Sequence, residues 1–101
     1  MRTRRRSLRR RYGHTQKGVG HFDTSREAMQ NARDLGATHY TPHLSHNGWT
    51  FHKPIESGQY AGEFEQWEVT SDGPGPGRGF TQHGLAVVKS MGSRAIPLRG
   101  V

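Results

Sequence analysis

The chain has 101 residues, 30% of them hydrophobic, with fourteen glycines, five prolines, no cysteine and a formal net charge of +7. A chain this short supports one domain with a small core, and without cysteine it has no disulfide framework, thiolate metal site or common zinc finger. No apolar run approaches the roughly 18 residues of a membrane-spanning helix and no signal-peptide core follows the basic start, so the expectation is a soluble protein, intracellular or virion-associated.

Charge is divided unevenly along the chain. Residues 1 to 12 carry Arg2, Arg4, Arg5, Arg6, Arg9, Arg10 and Arg11 and no acid, while the remaining eight Lys and Arg face eight Asp and Glu. A neutral body behind a basic arm is the asymmetry expected where the arm meets a polyanion. Guanidinium groups pair with phosphate through two parallel hydrogen bonds and stay charged, and such contacts bind without reading sequence. Tyr12 adds a ring on which a base can stack. The arginine-rich, acid-poor start also resembles a mitochondrial presequence, but Leu8 and Tyr12 supply too little apolar surface for an amphipathic targeting helix. We therefore expect residues 1–16 to be a flexible arm that binds nucleic acid, DNA or RNA, through these seven arginines and Tyr12.

Behind the arm, GVGHF (18 to 22) is a short strand candidate. Thr24 stands three residues before Glu27, the capping-box spacing, and Ala28, Ala32 and Leu35 recur on one helical face up to Gly36, so the pattern predicts a helix over 25 to 35. The segment ATHYTPHLSHNGWTFHKPIE contains Asn47-Gly48, a dipeptide suited to a two-residue type I′ hairpin turn. That turn sets His46 opposite Trp49, Leu44 opposite Phe51, His43 opposite His52 and Tyr40 opposite Ile55. One face then shows Tyr40, Pro42, Leu44, His46, Trp49, Phe51, Lys53 and Ile55, the core side, and the other His39, Thr41, His43, Ser45, Thr50 and His52. Pro42 cannot donate to a ladder, which places its strand at a sheet edge. GEFEQWEVT fits both periods, but Gly62, its aromatic residues and the Val-Thr ending favour a strand.

SDGPGPGRGF reads as a Gly/Pro linker. It lacks the Lys-Ser/Thr pair and following helix of a phosphate loop, and its Arg78 offers one further phosphate contact. LAVV is one more short strand and GSRAIPLRGV an extended tail. The expected organisation is thus an arm (1–16), a compact α+β domain (17–70), a linker (71–80) and a short strand with an extended tail (81–101). Its fold class is α+β: one helix packed on a short antiparallel sheet in β-α-β-β order, with one or two further short strands.

Three histidines, His39, His43 and His52, share the polar face of that hairpin, and they are the candidate ligands for a zinc ion, with Glu56 as an alternative third donor. The same composition describes an exposed sheet or a nucleic-acid contact surface, and the expectation is no metal and no cofactor. His39-Tyr40-Thr41 and His43-Leu44-Ser45 resemble the His-x-Thr/Ser elements of two-histidine phosphoesterases. In that family the paired motifs converge from separate halves of a larger fold, whereas here both lie on one strand, so a non-enzymatic protein is expected. The acidic stretch Glu63 to Asp72 has no basic residue near it in sequence, and supports the alternative of an assembly protein whose basic arm docks on an acidic protein surface. In layout the arm is similar to those of viral capsid and ribosomal proteins, which implies a viral or phage accessory or virion protein as its setting.

Overall fold

The computed structural model of the chain describes residues 20–45, 47–73 and 79–98. The expected arm therefore lies outside the described residues, as do His46 and Arg78.

The helix, α1 (Ser25–Asp34), forms where its signals predict. Thr24 is the N-cap in extended conformation, and its hydroxyl accepts the Glu27 N–H at 3.2 Å. The Glu27 carboxylate turns back to accept the Asp23 N–H at 3.0 Å, one residue upstream of the usual capping-box partner. At the other end Leu35 is the C-cap, and Gly36 takes a left-handed φ of 103°. The Gly36 N–H donates to the Arg33 carbonyl and the Ala37 N–H to the Ala32 carbonyl, at 3.0 and 2.9 Å, which completes a Schellman stop.

Around the helix lie β1 (His21–Phe22), β2 (His39–Pro42), β3 (Gly48–Pro54), β4 (Phe64–Ser71), β5 (Phe80–Val88) and β6 (Ile96–Pro97). They make one six-stranded sheet in the order β1-β5-β4-β3-β2-β6, with every neighbouring pair antiparallel. Alternating directions leave β1 and β2 pointing the same way with three strands between them. The helix that joins them consequently crosses one face of the sheet, and among the described residues no helix lies on the other.

The crossed face is the core. Ala28 and Ala32, one turn apart on α1, are 1% and 0% exposed, and their short side chains let the helix settle on an aromatic floor. That floor runs from Phe80 to Trp49 (ring centroids 5.1 Å apart), Phe51 (6.2 Å further) and Trp67 (5.9 Å further), each pair tilted by nearly 40°. Trp67, Phe51, Val69 and Leu98 are the largest fully buried side chains, each contributing about 1.5–3 kcal/mol or more by leaving water. Trp67 and Val69 point inward while Glu68 between them is exposed, so strand alternation, not the helical stripe, describes this segment.

The β2–β3 register departs from the one Asn47-Gly48 predicts. His39 pairs with His52, Tyr40 with Phe51, Thr41 with Thr50 and Pro42 with Trp49. Compared with the expected register, each β3 residue meets a partner four positions earlier; because four is even, the two faces keep their membership. Leu44 falls out of the strand and is 86% exposed, and His43 no longer opposes His52. The physical reason lies on the far side of β3. Gly48 is the first residue of that strand, its φ is 143°, and an added Cβ would run into the Val69 carbonyl oxygen and stand 3.0 Å from Thr70 Cα. The Asn47 carbonyl accepts the Ser71 N–H at 3.2 Å. Gly48 is thus used for a close approach to β4, and the chain reverses between His43, whose N–H donates to the Gly48 carbonyl at 3.0 Å, and Gly48 itself.

Pro42 ends β2 at a position where β6, which pairs only with His39 and Tyr40, no longer covers the edge. The Pro42 carbonyl instead accepts from the Arg94 guanidinium at 2.7 Å. LAVV is the second half of the long strand β5, set off from its first half by a bulge in which Gly84 (φ 71°) and Leu85 oppose Trp67. The Gly/Pro stretch connects β4 to β5; the Asp72 N–H donates to the Gly79 carbonyl at 3.0 Å, and residues 74–78 lie outside the described residues. The tail is anchored, because Leu98 is 2% exposed and its N–H donates to the Thr38 carbonyl at 2.9 Å.

Candidate nucleic-acid interface

On the helix-free face, strand alternation places His21 of β1, Thr81 and His83 of β5, Gln66, Glu68 and Thr70 of β4, Thr50 and His52 of β3, and His39 and Thr41 of β2. His43, one residue past β2, continues the row. All five described histidines, His21, His39, His43, His52 and His83, therefore share one face. Each is tied to a hydroxyl or a carboxylate. His52 Nε2 lies 2.8 Å from Thr41 Oγ1, His43 Nε2 3.1 Å from Thr50 Oγ1, His83 Nε2 3.1 Å from Thr70 Oγ1 and His39 Nδ1 2.8 Å from Thr38 Oγ1. His21 Nε2 lies 2.7 Å from the Asp72 carboxylate, whose other oxygen accepts the Thr81 hydroxyl at 2.5 Å. The Thr81 hydroxyl, and after it the His21 ring, hold the Asp72 carboxyl below its ordinary value of 3.8.

His52 differs from the rest because it is 2% exposed. Its Nδ1 is buried and reaches no hydrogen-bond partner. Burial pushes its imidazole below the ordinary value of 6.5, charge on His39 pushes the same way, and the Gln66 side chain across the ladder partly offsets both. The most buried imidazole of the face thus lies inside the sheet on β3, with more open rings towards the two edges.

The three candidate metal ligands fall on this face, but not as the expected hairpin arranged them. His52 opposes His39, a directly paired position with Cβ atoms about 5 Å apart, while His43 turns to Thr50. Among the described residues no group of three or more His, Cys, Asp or Glu side chains is placed to hold a metal ion. The arm candidates Arg2, Arg4, Arg5, Arg6, Arg9, Arg10, Arg11 and Tyr12 lie outside the described residues. The acidic stretch is divided between the two faces: Glu65 shares the helix side with Trp67, and Glu68 stands exposed on the open side. Glu63 has Lys89 at 3.7 Å, and Asp72 is engaged with His21 and Thr81.

His21 and His83 complete the face, and sequence reasoning passed over both. A signal was present: Thr and His recur two apart in His39-Tyr40-Thr41-Pro42-His43, in Thr50-Phe51-His52 and in Thr81-Gln82-His83. Period-two recurrence of one polar pair in separate segments marks strands that contribute to a common face.

No protein-family model, curated protein or solved structure matches this chain.

Proposed function

We propose that this chain is a small non-enzymatic nucleic-acid-binding protein whose N-terminal arginines neutralise phosphates while the α+β body behind them, β-α-β-β with further strands, supplies placement. The observation that carries this reading is the partition of charge: seven arginines and no acid in the first twelve residues, and eight bases against eight acids in the rest. Solubility does not require that separation, whereas a polyanion partner does. A viral or phage accessory or virion protein fits a chain of this size and layout.

Binding of labelled DNA and RNA of unrelated sequence, followed by fluorescence anisotropy across salt, tests the reading. Seven phosphate contacts give a slope of log affinity against log salt near 6 on duplex DNA, from about 0.9 per contact. A chain lacking residues 1–12 is expected to lose most of that slope and at least tenfold in affinity at 150 mM salt. Affinity unchanged by the truncation refutes the proposal.

A further inference from the structure

We propose that the helix-free face of the sheet receives the bases of a single-stranded nucleic acid, stacked on His21, His39 and His83, while the arm holds its phosphates. The inference rests on the nucleic-acid-binding reading above and adds to it a second contact surface and a choice of strandedness.

The chemistry of the face selects this occupant. Among its described ladder positions there is no Lys or Arg, and one of them, Glu68, is an exposed carboxylate. Such a surface does not attract a phosphate backbone. What it offers are aromatic imidazole planes, threonine hydroxyls, the Gln66 amide and the Glu68 acceptor, the groups that stack on bases and hydrogen-bond to their edges. A duplex hides those base faces and a single strand presents them. The phosphates of the same strand then need a cation from elsewhere, and the chain carries its surplus of cations in one place, just upstream of this face.

The dimensions agree. His83 is exposed, and His21, His39 and His43 are half-buried; of these His43, like the buried His52, has its Nδ1 buried, and the two are held by Thr50 and Thr41. His21 pairs with Thr81, so His83 is its diagonal neighbour on β5, about 7–8 Å away. His39 lies four strand spacings across the sheet from His21, about 19 Å, and four residues further along it, about 13 Å, so the two positions are roughly 23 Å apart. Between the two ends run Thr70, Glu68, Thr50 and His52, a polar track across the strands whose exposed carboxylate is Glu68, with that of Asp72 held beside His21 and Thr81 at one end. Gly20, whose carbonyl accepts the Gln82 N–H at 2.7 Å, leads into β1 beside His21 at one end of this track. Arg11 precedes Gly20 by nine residues, a contour of at most about 30 Å. Arginines within that reach can meet phosphates of a strand lying anywhere along the track.

The test uses the full-length protein, a fluorescein-labelled dT 20-mer and a mixed-sequence 20-base-pair duplex at 150 mM NaCl. The single strand is expected to bind at least tenfold more tightly than the duplex. A variant carrying His21→Ala, His39→Ala and His83→Ala, its fold checked by far-UV circular dichroism, is expected to lose at least tenfold on dT with duplex affinity changed less than twofold, since one stacked base accounts for about 5- to 150-fold. Photocrosslinking of the unaltered protein to 5-bromouracil DNA provides a readout that does not depend on the folding of a variant, and adducts are expected in β1, β2 and β5. Adducts confined to residues 1–19, a folded triple variant with unchanged dT affinity, or equal binding of both nucleic acids by the unaltered protein overturns the inference. If binding still depends on residues 1–12 in those cases, the broader reading stands and only the base-stacking face fails; if it does not, the broader reading fails with it.

Discussion

Gly48→Ala separates two uses of one dipeptide. If Asn47-Gly48 formed a type I′ turn, both residues would matter through their positive φ, and alanine at either would cost about 1 kcal/mol. In the structure Gly48 belongs to β3, where a Cβ would collide with the Val69 carbonyl oxygen and stand 3.0 Å from Thr70 Cα and 3.1 Å from His43 Nδ1. The first two are backbone atoms of the neighbouring strand, so β3 and β4 must separate locally. A ladder hydrogen bond is then weakened, at about 0.5–1.5 kcal/mol, in addition to about 1–2 kcal/mol for an L-residue at a φ of 143°. The expected loss is about 2–4 kcal/mol, a drop in Tm of roughly 10–25 °C for a domain of this size. Gly84→Ala is the internal control: its φ is 71° and nothing lies within 4 Å of the added Cβ, so only the backbone term of about 1 kcal/mol applies. Asn47→Ala is expected to cost less than about 0.5 kcal/mol, because the Asn47 residue is exposed and its ladder bond to Ser71 is made by its backbone carbonyl. Thermal melts followed by far-UV circular dichroism and tryptophan fluorescence rank the three variants. A Gly48→Ala protein within 3 °C of the parent, or an Asn47→Ala protein as damaged as Gly48→Ala, refutes the close-approach account.

Two further outcomes follow from burial and titration. Leu98→Ala empties a site that is 2% exposed and should cost about 2–5 kcal/mol in urea unfolding, whereas Leu44→Ala, at 86% exposure, should leave the midpoint unchanged; equal effects would mean that the tail does not pack. His52 is held below 6.5 in the folded protein, so on acidification from that pH the unfolded chain takes up a proton that the folded chain refuses, and stability falls until the folded ring also titrates. Asp72 acts in a lower window: its stabilisation is present above 3.8 and disappears as pH falls through its depressed folded value. Urea midpoints between pH 7.5 and 5 should therefore decline, and His52→Gln should flatten that decline; an unaltered slope in the variant counts against His52 as its source.

Much of the local structure was legible because it depends on residues close in sequence. Thr24, Glu27 and Gly36 settle both ends of the helix through hydrogen bonds spanning three to five residues, and the Ala28 and Ala32 spacing identifies its buried side. Alternation in Glu65, Trp67 and Val69 was readable for the same reason. The polar composition of the hairpin's second face was legible too, and it survived a wrong register only because the error was even. His21 and His83 were out of reach for a different reason. Neither segment reveals its partner, since β1 pairs with a strand 58 residues away, as in Phe22 with Phe80, and the energy that selects that pairing comes from burying Phe22 and Phe80 with the rest of the aromatic floor.

The sequence by itself determined where the charge lies, where the helix starts and stops, and which residues of each strand share a side, because these depend on covalent spacing and short-range hydrogen bonding. Only the tertiary structure decided that Gly48 serves β4 instead of a turn, that Leu98 closes the core while Leu44 stands in water, and that histidines from four separate strands meet on one face. Those outcomes depend on which strands lie next to each other, a choice made by the packing of Phe51, Trp67 and Val69 beneath two alanines of one helix.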